Sequence, residues 1–112
     1  MADHLEPFPG DVLHIEARYD HTEATIVLDG EFDASGVARF WGYLNAVVAP
    51  QPLSVAVDVR GVTFIDSSGL IALLRGRDTA AEASVAFRVI KPSPPVRRLA
   101  EVAGVEELLT DE

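Results

Sequence analysis

Leu53-Ser54-Val55-Ala56-Val57-Asp58-Val59 is short, rich in β-branched residues and nearly all apolar, and its reading decides the fold. A strand with one wet face alternates apolar and polar residues; this run does not. It is predicted as a central strand buried on both faces, the habit of parallel sheets. Parallel strands need crossover connections, and helical patterns flank the run on both sides. Before it, Val37, Phe40, Trp41, Leu44, Val47 and Val48 recur at spacings of three and four, which marks the buried face of a helix. Asp33 or Ser35 caps that helix by accepting from the free N–H groups of its first turn, and Pro50 and Pro52 stop it. After the run, Asp66 or Ser67 opens a second helix that extends to about Glu82.

Further out, residues 11–18 and 23–30 are strand-like around the polar stretch Tyr19-Asp20-His21-Thr22-Glu23, a plausible antiparallel hairpin that Gly30-Glu31-Phe32-Asp33 ends. Ser84-Val85-Ala86-Phe87-Arg88-Val89-Ile90 is a further strand. Pro92, Pro94 and Pro95 introduce a last helix over 96–103, closed by Gly104, and residues 105–109 add a short terminal element. The order β-β-α-β-α-β-α describes a small α/β domain, a mixed β-sheet with helices packed against it through right-handed crossovers. One domain is expected over residues 11–110, behind a flexible lead-in over 1–10 that carries Pro7, Pro9 and Gly10. No internal repeat or low-complexity segment interrupts it.

The 112 residues are enough for one core and too few for two, and 48% hydrophobic with 24% charged residues is a globular composition. Cysteine is absent, which removes disulfides and thiolate metal sites. The acidic, proline-bearing amino terminus is no signal peptide, and no apolar stretch approaches the roughly 20 residues of a membrane helix, so a cytoplasmic location is expected. A net charge of −9 opposes generic attraction to nucleic acid or an anionic membrane. That charge is uneven. Residues 1–59 hold two basic and ten acidic residues, whereas residues 60–100 hold seven basic and three acidic. Such blocks are usually solvated faces; the alternative is a polarised surface that orients a protein partner.

The most informative segment for function runs from Asp58 to Leu70, predicted to leave the carboxyl end of the buried strand, turn, and enter the second helix. In open α/β sheets ligands gather at that edge. A hydroxyl there sits beside unpaired N–H groups and the positive end of the helix dipole, which suits a cap and suits a phosphate equally. Two readings of Asp66-Ser67-Ser68-Gly69 follow. In one, these residues only cap the helix and Gly69 permits close packing. In the other, one serine is phosphorylated, adding about −1.5 to −2 charges beside Asp66.

Phe64-Ile65-Asp66-Ser67-Ser68-Gly69-Leu70, with Asp29-Gly30-Glu31-Phe32-Asp33 before it and Lys91-Pro92-Ser93-Pro94-Pro95-Val96-Arg97-Arg98-Leu99 after it, resembles the bacterial anti-sigma factor antagonists. These belong to the domain class shared by sulfate transporters and anti-sigma factor antagonists, the STAS domain. The resemblance covers about residues 11–110. It implies that Ser67 is the phosphoacceptor, with Ser68 the second choice, and that Asp33, Asp66, Ser68, Gly69, Leu70 and Ile71 form the loop and partner surface. Phe32 stands where the family's turn carries leucine. The resemblance further implies a partner-switching cycle. The unphosphorylated protein binds an anti-sigma factor that is also a serine kinase, which then releases its sigma factor. Phosphorylation of Ser67 ends the complex, and a metal-dependent serine phosphatase restores it. Nucleotide and metal belong to those partners, so this chain needs no cofactor and no metal of its own, and acts as a monomer or weak dimer.

Other chemistries find less support. A serine nucleophile needs a base, and the histidines are His4, His14 and His21, with His14 expected half-buried on a strand. Glu31, Asp33 and Asp66 offer weak cation binding if they converge. Gly61 and Gly69 lack a phosphate loop's spacing. Phe40, Trp41 and Tyr43 are expected as packing, and Arg75 and Arg77 on the exposed side of the second helix. Leu70, Ile71, Leu73 and Leu74 either bury that helix all round or leave one or two exposed for a partner. The rivals are a subunit of another assembly, such as a transporter or stress-signalling complex, in which Ser67 is only a cap, and a small α/β enzyme using the same loop.

Overall fold

The computed structural model describes residues 12–20, 22–110 and 112. The lead-in expected over residues 1–10 lies outside them. In chain order the elements are β1 (Leu13–Asp20), β2 (Glu23–Phe32), α1 (Ala34–Val48), β3 (Ser54–Ile65), α2 (Ser67–Glu82), β4 (Ala86–Ile90), α3 (Pro94–Ala103), a 3-10 turn (Glu106–Leu108) and β5 (Leu109–Thr110). One mixed sheet runs β1-β2-β3-β4-β5. β1 is antiparallel to β2, and every later pair is parallel. The crossovers carrying α1, α2 and α3 step in one direction across the sheet, and with the right-handed connection that parallel strands favour this puts the three helices on the same face.

The burial of the strands follows from this layering. On β2, Ala24, Ile26 and Leu28 are fully buried under the helices, while Thr25 and Val27 are half-buried and Asp29 is exposed on the open face. On β3, Val55, Ala56, Val57, Asp58 and Val59 are all buried, as the run predicts, whereas Leu53 falls before the strand and is 70% exposed and Ser54 is half-buried on the open face. The core between sheet and helices centres on Phe32 and Phe40, whose ring centroids lie 5.4 Å apart. Polar groups cover the open face. Glu23 accepts from the Ser54 hydroxyl at 2.6 Å and pairs with Arg88, which also pairs with Glu112. The Ser54 hydroxyl, with help from Arg88, holds the Glu23 carboxyl below the usual carboxylate range against the opposing effect of burial.

Several boundaries differ from the expectation. β3 does not end at Val59 but continues to Ile65, and β2 continues with it to Phe32. Gly61 is therefore a strand residue and not a loop residue: a Cβ there would lie 1.6 Å from Asp29 Oδ1, so a side chain at this position would have to displace the Asp29 carboxylate. The register (Val27 opposite Asp58, Asp29 opposite Gly61, Gly30 opposite Val62, Glu31 opposite Phe64) inserts one extra residue into β3 at each of two bulges. At the other end, β4 starts at Ala86 instead of Ser84. Ser84 adopts φ +61° and its N–H donates to Ala81 O, while Val85 N–H donates to Ala80 O, a Schellman ending to α2. The third helix begins at Pro94, since proline's missing N–H costs nothing in a first turn.

Candidate functional site

The paired ends of β2 and β3 build the site. Phe32 lies opposite Ile65, and Asp66 N–H donates to Phe32 O at 3.4 Å, so the two strands deliver the next two helices side by side. Each helix starts on an aspartate in extended backbone. Asp33 caps α1, accepting from Ser35 N–H at 3.0 Å and from the Ser35 hydroxyl at 2.6 Å. That hydroxyl, then the Ser35 N–H, hold the Asp33 carboxyl below the ordinary aspartate value. Asp66 caps α2, accepting from Gly69 N–H at 3.2 Å.

The choice between Asp66 and Ser67 as cap is thus settled for Asp66, and this frees Ser67. It is the first residue of α2, exposed to solvent, and beside the positive end of the helix dipole. Ser68 follows, half-buried. Gly69 is buried against the end of β2: a Cβ would come within 2.5 Å of Phe32 O and 3.0 Å of Ile65 Cγ1. Its part is close packing of α2 on the β2 carbonyl, which draws the two helix starts together.

The candidate partner residues divide. Leu70 and Leu73 are buried in the core, which removes Leu70 from any contact surface. Leu74 is half-buried, and Ile71 stands 48% exposed. Ser67, Ile71 and the exposed Arg75 repeat every four residues, so they form one stripe along α2. Arg77 is half-buried, and Gly76 between them is buried, with a Cβ there placed 3.2 Å from Leu44 Cδ2. Phe64 at 48% and Val102 at 80% are exposed apolar residues that the sequence does not single out. Phe64 was placed in a turn, where exposure carries no message. Its place on a bulged strand next to α2 is visible only in three dimensions.

The remaining expectations resolve as follows. His14 is exposed on the open face of the sheet, not half-buried, because its β1 position faces away from the helices. His4 and His21 lie outside the described residues. Asp33 and Asp66 head adjacent helices with their carboxylates engaged as caps. Among the described residues no three His, Cys, Asp or Glu side chains converge, so Glu31 does not join them in a cation site. Phe40 is fully buried and Trp41 partly, with ring centroids 5.8 Å apart, while Tyr43 is exposed at the edge. No helix among the described residues is long and apolar enough to cross a membrane.

The fold recurs in known proteins. A STAS-domain containing protein of Pseudomonas aeruginosa is 34% identical over 89 residues, covering 80% of this chain and 87% of that protein. An anti-sigma factor antagonist from Mycobacterium paratuberculosis superposes with a TM-score of 0.78 at 22% identity, over 90% of this chain and 86% of that one. The anti-sigma factor antagonist SpoIIAA, a Bacillus cell fate determinant, has the same fold. Its unphosphorylated form gives a TM-score of 0.73 at 20% identity over 89% and 87% of the two chains. Its phosphorylated form gives 0.68 at 19% over 89% and 90%. The family model described as "Mlab, STAS domain" matches residues 15–110, and with that match spanning nearly every element above, the chain belongs to the STAS-domain family.

Proposed function

We propose that the protein is an anti-sigma factor antagonist, a cytoplasmic binding module rather than an enzyme, switched off by phosphorylation of Ser67. The observation that carries this reading is the division of labour at the start of α2. Asp66 does the capping, so the exposed Ser67 hydroxyl is available to a kinase without loss of the cap. The neighbouring helix dipole accommodates the phosphate, and the stripe Ser67–Ile71–Arg75 gives a partner something to bind. Solved proteins of this fold include an antagonist in both phosphorylated and unphosphorylated forms, which fits the same cycle.

The effect of one phosphate is large enough for a switch. It adds about −1.5 to −2 charges next to the Asp66 and Asp33 carboxylates. A partner carboxylate ~6 Å away at an effective dielectric near 20 is repelled by about 3 kcal/mol per unit charge pair. That corresponds to roughly a hundredfold in affinity, with no refolding required. The partners are then an anti-sigma factor with serine-kinase activity, which brings its own ATP and magnesium, and a metal-dependent serine phosphatase.

The test mixes the protein with purified anti-sigma kinases of its host and ATP, maps phosphate by mass spectrometry and measures complex formation by titration. Phosphate on Ser67, binding kept by Ser67→Ala, and binding weakened about a hundredfold by Ser67→Glu are expected. Phosphate confined to Ser68, or a complex indifferent to Ser67→Glu, would overturn the switch. The second outcome would place the chain as a fixed subunit of another assembly.

A further inference from the structure

Beside the strand end that leads into α2 lies a groove of about 350 Å³. Phe64 and Ile65 of β3 form one wall, and Pro95, Leu99 and Val102 of α3 the other, with Arg98 alongside. The groove has a topological origin. β4 accompanies β3 only as far as Asp58, opposite Ile90, while β3 runs on to Ile65 with β2 as its one strand partner. α3 packs beside that unaccompanied half without closing over it. The bulge that makes Thr63 an extra residue sets Phe64, opposite Glu31, in water. Phe64 and Val102, 48% and 80% exposed, therefore face solvent across one apolar channel. Single exposed apolar residues are ordinary, whereas a lined, shared patch of this kind marks a contact site.

Charge narrows the occupant. The chain carries −9 overall, yet residues 60–100, which supply nearly all of this groove, carry seven basic and three acidic residues. Arg98, exposed and lining the groove, presents a cation to whatever enters. Nucleic acid and anionic membranes are opposed by the overall charge. A second copy docked through the same patch would set Arg98 against Arg98.

We propose that the groove receives an apolar ridge of the partner kinase flanked by carboxylates, with Phe64 and Val102 gripping the ridge and Arg98 pairing with a carboxylate. The inference rests on the partner-switching reading above and gives it a mechanism. Ser67 lies three residue steps beyond Phe64, a span of at most about 11 Å. An acidic flank that enters the groove and extends along β3 toward α2 then meets the phosphate on Ser67, so the flank that builds the complex makes it sensitive to phosphorylation.

The experiment measures binding of purified kinase to the wild-type chain, Val102→Asp and Arg98→Glu, positions exposed enough that both variants keep the wild-type unfolding temperature. Each is expected to weaken binding at least tenfold, with Arg98→Lys within about twofold of wild type. If Ser67→Glu abolishes the complex while Val102→Asp and Arg98→Glu bind as wild type, the groove assignment is wrong and the switch stands. A wild-type dimer in sedimentation that Val102→Asp dissolves, with kinase binding intact, overturns it in favour of self-association. If no host kinase binds the wild-type chain, the partner-switching reading falls and takes the groove assignment with it.

Discussion

Asp33-Ala34-Ser35-Gly36 begins α1 and Asp66-Ser67-Ser68-Gly69 begins α2, two nearly identical strings at adjacent helix starts that do different things. Both aspartates cap, and both glycines occupy the third helical position. In α1 the serine is spent on its own cap: Ser35 donates through N–H and hydroxyl to Asp33. In α2 the cap goes straight to Gly69 N–H. The single difference in type is Ala34 against Ser67, an exposed methyl against an exposed hydroxyl at equivalent positions. A capping string therefore says little about function by itself. What marks α2 is a hydroxyl surplus to the cap.

The largest expected break in this parallel is at the glycines. A Cβ on Gly69 meets backbone, Phe32 O at 2.5 Å, whereas on Gly36 it meets the end of a side chain, Leu13 Cδ2 at 2.7 Å. Backbone cannot give without moving β2, so Gly69→Ala is expected to cost about 2–3 kcal/mol through overpacking. Leu13 can shift, and alanine's better helix propensity returns up to about 1 kcal/mol, so Gly36→Ala should cost about 1 kcal/mol or less. Urea denaturation of both variants decides it. Equal losses would mean that the close approach of α2 to the β2 carbonyl has no special cost.

A smaller effect separates capping from phosphate acceptance. Asp66→Ala is expected to destabilise by about 1 kcal/mol, and Asp66→Ser to recover most of that, since serine caps nearly as well as aspartate. Ser67→Ala should leave stability within about 0.5 kcal/mol of wild type, as an exposed substitution away from any cap. A larger loss on Ser67→Ala in the same denaturation series would show that the hydroxyl has a structural task.

The sequence made most of this architecture legible because the signals were local. The apolar run 53–59 declared a parallel strand, buried from Val55 to Val59, the spacing from Val37 to Val48 declared α1, and Gly104 closed α3 in a left-handed turn at φ +74°. The failures share a cause. Gly61 reads as a turn because the side chain it faces, Asp29, belongs to another strand. Ser84 was read as strand because its left-handed backbone lacks the usual glycine. The site divided in the same way. Asp66 and Ser67 were recognisable as a pair, but which one caps depends on the angle at which β3 enters α2. The correspondence of the two aspartate starts became meaningful only once Phe32 was seen opposite Ile65. Phe64 and Val102 are ordinary apolar letters until the early end of β4 leaves a groove between them.

The most delicate test of the comparison is the acid limb of stability. Ser35 holds the Asp33 carboxyl below its unfolded value, chiefly through its hydroxyl. A depressed folded pKa contributes stability that is fully present above the unfolded value, about pH 4, and is lost as pH falls through the lower folded value. Glu23 is lowered in the same sense by Ser54 and Arg88, so a Glu23→Gln background removes its overlapping contribution. In that background, Ser35→Ala is expected to lose less stability than its parent between pH 5 and 2.5, and Asp33→Asn to lose no more than Ser35→Ala, by denaturant midpoints at each pH. Ser67→Ala should run parallel to the parent throughout, because no cap carboxylate leans on its hydroxyl. A Ser35→Ala curve parallel to the parent, or a flattened Ser67→Ala curve, would erase the distinction between a serine tied to its cap and a serine left free for a kinase.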